Sequence, residues 1–461
     1  MHGAELRHDS SDRRGASFNS LLCIAAEAVN AAVEVMLLPG LVLAFFVAEL
    51  TPSYATIGLA PAIAFSFWTL ARLPAILFSI TRRKQQPWAF AAALVRAGAV
   101  AILAVLASRT NAADVAQSPR PLLGAFFLCL IAYALASGFG SVPAATLLQA
   151  SAPADAWSSF ARRRALWSAF FSVLAALIVV RLLGSSAFIF PAGYGRLFLA
   201  ATVCLVAVAG LTAAMREPAG GASASRVSRI APRMLRQPLL DPRFRRFLVF
   251  RVFLSATAAI DPFLFLYAVT RFGAPITAIG GYVLAGVIGW VLTAPVWIWL
   301  ERTSGARSVL QAATVVRLIA PAVALAVPPL AATELMRERF PQDSPLTWIY
   351  GVGFFAIGAA LSAQARGTNE YLFALSPRPL LSAYTGLTNL VLAVIAFAPV
   401  LGGVVIQRAG YETLFVAVLA IGLAAVFAGG ALASTPTPSL LGRAPEPDRL
   451  PAPRALSAGR S

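Results

Sequence analysis

Twelve apolar runs, most of them twenty or more residues long, follow one another along this chain. A helix needs about 20 apolar residues to cross the hydrocarbon core of a bilayer. Because backbone groups inside lipid must be hydrogen-bonded within the protein, each run is predicted to be a membrane-spanning helix. The runs, called spans 1 to 12, cover residues 20–49, 54–80, 88–107, 122–148, 166–183, 194–214, 247–270, 276–299, 309–330, 346–374, 381–407 and 412–434.

The composition agrees with this fold class. Hydrophobic residues make up 59% of the 461 residues and charged residues only 12%, about half the charge of a soluble domain. The polar segments between spans are too short for a separate catalytic domain. We therefore predict an all-α integral membrane protein. Its predicted parts are an N-terminal tail (1–17), a six-helix half (18–214), a basic linker (215–246), a second six-helix half (247–434) and a disordered tail (435–461).

The second half of the sequence repeats the first. The heptapeptide AGYGRLF returns about half a chain length later as AGYETLF, and an Ile-Gly pair followed ten residues later by Trp returns at a similar offset. The matched positions are Ala192–Phe198 with Ala409–Phe415, and Ile57, Gly58 and Trp68 with Ile279, Gly280 and Trp290. Two matching halves in one membrane are how many secondary transporters build a site that can open to either side.

The net charge of +18 is explained by where the basic residues lie. Loops and tails on the side of the N-terminus hold 24 of the 37 Lys and Arg residues, and the opposite loops hold six. This asymmetry predicts that both termini lie in the cytoplasm. The charge then indicates contact with anionic lipid at the cytoplasmic face and argues against a nucleic-acid partner.

Prolines and cysteines add two smaller predictions. Prolines inside the spans are expected to kink or break helices; they are Pro39, Pro74, Pro143, Pro262, Pro295, Pro321 and Pro399. The three cysteines all lie within spans and have neither disulfide nor metal-ligand spacing. No cofactor or metal is expected, and the pattern is compatible with a monomer.

Two parallel six-helix halves, cytoplasmic termini and a long basic centre together resemble the major facilitator superfamily. The signature loop of that family combines an acid, a Gly and basic residues. Glu301–Arg307 is a relaxed version of it, whereas Thr81–Pro87 keeps the bases but lacks the acid and the Gly. Thr368–Tyr371 and Tyr384–Asn389 are similar to a poorly characterised bacterial branch. The resemblance implies a permease of the bacterial cytoplasmic membrane, in which spans 1, 4, 7 and 10 line a central cavity. Gate candidates at its cytoplasmic face are Arg83, Glu301, Arg302 and Arg307.

Charged residues deep in a membrane are functional candidates, since burying each costs several kcal/mol. The acids Glu34, Asp261, Glu27 and Glu370 and the bases Arg72, Arg96, Arg317 and Arg366 are the eight deep ones. Glu34 and Asp261 lie fourteen residues into spans 1 and 7, roughly 21 Å from the cytoplasmic end. A carboxylate in such surroundings can load and release protons near neutral pH. The four acids are therefore the candidates for proton coupling.

Polar stripes on the four cavity-lining spans supply the substrate-cavity candidates. Glu27, Asn30 and Glu34 share one face of span 1, because they are three and four residues apart. The full set is Asn30, Trp68, Tyr133, Ser137, Thr257, Trp290, Arg366 and Asn369.

Structural roles are alternatives for many of these residues. Hydroxyl stripes also join membrane helices, and matched tryptophans also pack. Deep arginines also serve as snorkelling anchors or ion-pair partners. Glu27 could pair with Arg72 or Arg96, and Glu370 could pair with Arg366. Asp261, which precedes Pro262, could instead cap a local helix break.

These features favour a secondary active transporter of a small solute, working by alternating access and coupled to protons. A passive facilitator or a transporter-fold sensor has the same sequence features. A polytopic membrane enzyme fits less well, because His2 and His8, the only histidines, lie in the polar tail and no Gly-x-Ser-x-Gly elbow is present. Lys84, the only lysine, lies outside any phosphate-binding glycine loop, so ATP-driven pumping is not indicated. We therefore predict that the chain is not an enzyme.

Overall fold

The computed structural model describes residues 2–82, 84–151, 157–184, 190–217, 237–331, 333, 344–377 and 380–434. All regular structure in these ranges is helical. The α-helices are His2–Met36, Ala44–Ala48, Tyr54–Thr81, Gln86–Arg109, Ala112–Gln117, Arg120–Ser151, Trp157–Leu183, Ala192–Ala214, Pro242–Ala256, Asp261–Phe272, Ile279–Arg317, Ile319–Ala331, Ser344–Leu375, Leu381–Ile395 and Ala398–Gly430. Most of the predicted linker and the whole predicted C-terminal tail lie outside the described residues, and the span numbers are kept below for the helices that cover them.

Ten helical stretches among the described residues are long and apolar enough to cross a membrane. Two of them, Ile276–Leu330 and Leu381–Gly430, contain 55 and 50 residues, which is enough for two crossings each. Each of these two stretches is broken at a glycine with positive φ. Gly305 has φ 81° and ψ 169°, and Gly410 has φ 86° and ψ 172°. The breaks separate span 8 from span 9 and span 11 from span 12.

Alanine at either break is expected to destabilise the protein. The backbone at Gly305 and Gly410 is in a region that only glycine adopts without strain, so Gly305→Ala and Gly410→Ala should each cost on the order of 1–3 kcal/mol. Thermal unfolding of the purified protein measures the loss. Gly210→Ala is the control, because its Cβ would have no neighbour within 4 Å and Ala is favoured in a helix. A smaller loss at Gly410 than at Gly210 would contradict this account.

Prolines break spans 1 and 7 at similar depths. In span 1 the first α-helix ends at Met36, and a π-helical turn covers Pro39–Leu43. In span 7 a 3-10 turn covers Thr257–Ile260, and the next α-helix begins at Asp261 just before a proline. The two breaks face each other, since a Cβ on Gly40 would lie 3.4 Å from the Asp261 Cβ. The irregular backbone of both halves therefore meets in the middle of the bundle.

Span 7 begins earlier than the sequence pattern indicated. Its helix starts at Pro242 rather than at residue 247, so it includes the end of the predicted linker. The Asp241 side chain caps this helix by accepting a hydrogen bond from the Arg243 amide at 2.8 Å. Asp followed by Pro is a common start of a helix. The predicted start was placed later because the arginines that follow Pro242 made this segment resemble the polar linker.

Within each half, a glycine lets one helix pass directly over the backbone of another. A Cβ on Gly138 of span 4 would lie 2.8 Å from the Trp68 carbonyl carbon of span 2. The matching Gly358 of span 10 would place a Cβ 3.0 Å from the Trp290 amide nitrogen of span 8. The crossings of the two halves therefore lie close to the matched tryptophans, and the contacts involve the helix backbones rather than the tryptophan rings.

The two halves touch through two repeat-related crossings. On one side, a Cβ on Gly58 of span 2 would lie 2.8 Å from the Val400 amide nitrogen of span 11. On the other side, a Cβ on Gly280 of span 8 would lie 2.5 Å from the Val180 Cα of span 5. The repeated Ile-Gly pair of the sequence therefore lies at the interface between halves. These two crossings lie toward the end of the bundle where spans 2 and 8 begin. Spans 2 and 11 also touch farther along, where the Ser66 hydroxyl donates to the Ala393 carbonyl at 2.7 Å.

Candidate functional site

A buried ion pair links spans 7 and 9 in the second half. The Arg317 guanidinium donates to the Asp261 carboxylate, and it also donates to the Thr257 hydroxyl at 3.2 Å. The 3-10 break of span 7 places Thr257 and Asp261 on the side that faces Arg317. The Arg317 side chain is only 2% exposed, so its charge depends on this carboxylate for compensation.

The first half has a related but looser arrangement. An amide stands between the acid and the base, because Asn30 donates to Glu34 at 3.0 Å and accepts from Arg96 at 2.7 Å. Arg96 also donates to the Tyr133 hydroxyl at 3.3 Å and lies over that ring, 5.3 Å from its centre. Spans 1, 3 and 4 are joined by this network. Glu34 has exposed surface although it lies in the middle of span 1.

Arg96 and Arg317 occupy matching positions in the two halves. Each follows a valine in the third span of its half, and the offset between them is close to that between the two Ile-Gly pairs. Of the two structural roles considered for Arg317, snorkelling anchor and ion-pair partner, the structure shows the second, because its side chain is buried against Asp261. The repeated Val-Arg pair is the sequence signal that these two positions correspond.

Arg72 of span 2 lies over the ring of Trp68, 4.7 Å from the ring centre. Its Nε atom is buried and has no hydrogen-bond partner. Ser137 of span 4 also has a buried hydroxyl without a partner, and its neighbour Gly138 is the glycine that packs on Trp68. Trp290, the repeat partner of Trp68, is 44% exposed.

The gate candidates of the second half form a local structure around Gly305. The buried Glu301 accepts a hydrogen bond from Arg366 of span 10, so both belong to one half. Arg307 donates to the Gly430 carbonyl at the end of span 12, at 2.8 Å, whereas Arg302 is exposed. Arg83, the first-half gate candidate, lies outside the described residues.

Two of the alternatives for the outer acids are corrected by the structure. Glu27 pairs with Arg164 at 3.6 Å rather than with Arg72 or Arg96. The reason is that the N-terminal part of span 1 packs beside the helix of span 5. The Glu27 and Arg164 side chains are 43% and 36% exposed. Glu370 and its neighbour Asn369 are exposed, and Glu370 does not pair with Arg366, whose partner is Glu301.

Arg251 of span 7 is a buried charge that the sequence reasoning missed. Its side chain donates to Gln364 of span 10 at 3.4 Å, and its Nε atom has no partner. Because Arg251 lies only four residues into the predicted span, it was not counted among the deep charges. Among the described residues, no group of three or more His, Cys, Asp or Glu side chains is arranged to hold a metal ion.

Comparison with known proteins identifies the fold. No protein-family model matches the sequence, and no curated protein matches it. The nucleoside transporter NupG has a similar structure, with a TM-score of 0.62 and 15% identity, over 91% of this chain and 98% of that chain. A D-xylose-proton symporter matches with a TM-score of 0.61 and 13% identity, over 90% of this chain and 95% of that chain.

A third similar structure is a bacterial homologue of the human lysosomal transporter Spinster, in an inward-facing and unoccupied conformation. Its TM-score is 0.60 at 13% identity, over 94% of this chain and 99% of that chain. The chain therefore has the fold of major facilitator superfamily transporters, as the sequence resemblance predicted, and it is a multi-pass membrane protein.

Proposed function

We propose that this chain is a secondary active transporter that carries a small solute by alternating access and couples its movement to protons. One observation carries the proposal above the others. Each half holds a carboxylate and an arginine at matching places, Glu34 with Arg96 and Asp261 with Arg317, near the middle of the membrane. Sites at the interface of repeats near the bilayer midplane are typical of secondary transporters.

Twelve crossings and cytoplasmic termini belong to this proposal. The ten apolar stretches become twelve crossings if the chain turns back at Gly305 and at Gly410. The basic residues then lie mainly on the side of the termini, which favours a bacterial cytoplasmic membrane with both termini inside. The predicted domain boundaries follow from the same arrangement, except that span 7 begins at Pro242.

The contacts between halves support a conformation in which the outer ends of the halves are packed together and spans 2 and 11 touch along much of their length. The crossings at Gly58 and Gly280 hold the halves together at the end where spans 2 and 8 begin, which is the outer end in this topology. Toward the other end, Glu27 and Glu370 are exposed. Rocking of the halves would exchange these contacts for contacts at the cytoplasmic end, since packed interfaces switch between discrete arrangements.

Glu34 is the strongest candidate for the proton-carrying group. Its side chain has exposed surface, and the Asn30 amide lies between it and Arg96. Asp261 is a weaker candidate, because its protonation would leave Arg317 buried without a counter-charge. Glu27 and Glu370 lie nearer the cytoplasmic end and are better suited to attracting ions or to gating.

Glu34→Gln is expected to abolish substrate-dependent proton movement. Glutamine keeps the size of the side chain and the hydrogen bond with Asn30 but cannot release a proton. The measurement uses proteoliposomes with a pH-sensitive dye inside and a panel of metabolites and amphiphilic compounds outside. The matched control is Glu412→Gln, an acid at the start of span 12 that pairs with Arg271 at 2.5 Å.

Three outcomes separate the alternatives. Proton movement with a substrate that is lost in Glu34→Gln, and kept in Glu412→Gln, is the expected result. Solute movement without proton movement would contradict proton coupling and leave a facilitator or a carrier coupled to another ion. Movement of no compound would favour a transporter-fold sensor.

A further inference from the structure

Trp290 of span 8 is exposed at a level where its helix face is otherwise buried. Residues seven apart on a helix share a face, because seven residues are close to two turns. On this face Val283 is 1% exposed and Trp297 is 6% exposed, whereas Trp290, which lies between them, is 44% exposed. Span 8 is one helix from Ile279 to the break at Gly305. The face is therefore covered above and below Trp290 but not at Trp290 itself.

The side of span 8 that carries Trp290 is not the side that faces lipid. Leu292 and Trp299 are 64% and 63% exposed, and they lie roughly 180–200° around the helix from Trp290, at 3.6 residues per turn. These exposed apolar side chains mark the lipid-facing side. Span 10 packs between the two sides, since a Cβ on Gly289 would lie 2.9 Å from the Phe355 carbonyl carbon. Trp290 is therefore directed into the bundle.

The Trp290 ring is bare on its own helix, in contrast to the ring of its repeat partner. Arg72 follows Trp68 by one turn and lies over that ring, 4.7 Å from its centre. The residue one turn after Trp290 is Ala294, which has no group to cover a ring. The crossing with Gly358 uses the Trp290 backbone and leaves the indole free. The first half thus supplies its own partner for the matched ring, and the second half does not.

Anchoring in the membrane does not account for Trp290. Tryptophans that anchor a membrane helix lie at the two interfaces with water. Trp290 lies fourteen residues after Ile276, where span 8 begins, which is roughly 21 Å along the helix axis and near the middle of the span. A large flat ring at this depth, directed inward and partly uncovered, is suited to contact a solute in the path between the halves.

We propose that the transported solute carries an aromatic ring, which stacks on the Trp290 indole. This inference rests on the proposed transport function and names its substrate class. The indole is a large flat apolar surface, and the stacking of two rings adds to the gain from burying their area. Because the helix crossing at Gly358 fixes the Trp290 backbone before the solute arrives, the site needs little ordering on binding.

A cation is the other common partner of a tryptophan face. A cation deep in a membrane needs a negative group to compensate its charge. The nearest acid along this helix is Glu301, eleven residues from Trp290, and it already accepts a hydrogen bond from Arg366. Span 8 therefore offers a ring without a free carboxylate, which favours an aromatic group over an ammonium group.

The first part of the test determines which side of the bundle Trp290 faces. In liposomes, brominated lipid quenches the fluorescence of tryptophans that face the bilayer, and acrylamide quenches those that water reaches. The emission of one tryptophan is the difference between the protein with and without it, so Trp290→Phe and Trp299→Phe report the two positions. We expect acrylamide to quench Trp290 and brominated lipid to quench Trp299. Quenching of both by brominated lipid to the same extent would overturn the proposal.

The second part compares ligands that differ in the ring but not in charge. The purified full-length protein is titrated with benzoate, benzamide and benzylamine, with their saturated partners cyclohexanecarboxylate, cyclohexanecarboxamide and cyclohexylmethylamine, and with tetramethylammonium. Thermal stabilisation reports binding, because a ligand that binds the folded protein raises its Tm. We expect at least one aromatic compound to bind, with an affinity roughly twofold to tenfold above that of its saturated partner.

Variants then assign the preference to Trp290. Trp290→Leu should weaken the aromatic compound on the order of tenfold and remove the preference over the saturated partner. Trp290→Phe, which keeps a smaller ring, should lie between and guards against a fold defect in the leucine variant. Trp299→Leu makes the same change on the lipid-facing side of the same helix and should leave the affinity unchanged.

The proposal is overturned if the saturated partners bind as tightly as the aromatic compounds, if tetramethylammonium binds better than any ring, if no aromatic compound binds, or if the affinity is unchanged in Trp290→Leu. Uptake of a saturated solute into proteoliposomes, unchanged in Trp290→Leu, would remove the aromatic class and leave the transport function standing. Binding of an aromatic compound without its uptake would contradict the transport function rather than the stacking on Trp290.

Discussion

Asp261→Asn is expected to be among the most destabilising single substitutions in this protein. It leaves Arg317, whose side chain is 2% exposed, without its counter-charge. Breaking a buried ion pair by removing one partner costs about 3–5 kcal/mol. The measurement is the Tm of the purified protein in detergent, together with the yield of monodisperse protein.

Removing the arginine instead of the acid should destabilise the protein less. In Arg317→Met the remaining Asp261 can bind a proton and become neutral, whereas an arginine cannot lose its charge. The double variant Asp261→Asn/Arg317→Met should recover most of the loss, because no charge is then left unpaired.

Glu412→Gln is the control for this series. It breaks the ion pair between Glu412 and Arg271. Because these side chains are 47% and 50% exposed, the expected loss of stability is about 0–1 kcal/mol. Equal losses for Asp261→Asn and Glu412→Gln would show that burial does not govern the cost of breaking these pairs. A double variant no more stable than Asp261→Asn would show that the unpaired charge is not the cause.

Gly280→Leu is expected to abolish transport by forcing the outer ends of the halves apart. A Cβ at Gly280 already lies 2.5 Å from the Val180 Cα, so a leucine cannot fit while spans 5 and 8 touch. Gly58→Leu should act in the same way at the repeat-related crossing with span 11, where the Cβ would lie 2.8 Å from the Val400 amide nitrogen. Since the clash exists only in this packed arrangement, the population should shift toward a conformation that opens outward.

The measurement combines solute uptake in proteoliposomes with distances between spin labels on the outer ends of spans 2 and 11. Gly281→Leu is a matched control, because the adjacent Cβ would have no neighbour within 4 Å. We expect longer distances and no uptake in Gly280→Leu, with both normal in Gly281→Leu. Normal uptake in Gly280→Leu would mean that this crossing does not need to close during transport.

The sequence repeats predicted two related halves but did not show where the repeated residues lie in the structure. The Ile-Gly pair at Gly58 and Gly280 predicted two related halves, and in the structure both glycines lie where those halves meet. The matched tryptophans were interpreted as either packing or substrate contacts. In the structure the Trp68 ring lies under the Arg72 guanidinium, and the Trp68 backbone lies at the crossing with Gly138.

The ion pairs needed the tertiary structure. The sequence could place each charge on a span and estimate its depth, but the partner of a charge lies on another helix. Arg317, for example, pairs with an acid 56 residues away, and Glu301 pairs with Arg366 rather than with a base in its own loop. Helix rotation decides such contacts, and the apolar composition of a span says little about its rotation.

The sequence by itself determined that the chain is helical, that it is a multi-pass membrane protein, and that its fold resembles that of a transporter family. The physical reason is that lipid allows few backbone structures, so run length and the placement of arginine suffice. Only the tertiary structure decided that Asp261 is tied to a buried arginine while Glu34 is not. That difference arises from one intervening amide, Asn30, and from helix packing that no periodicity in the sequence encodes.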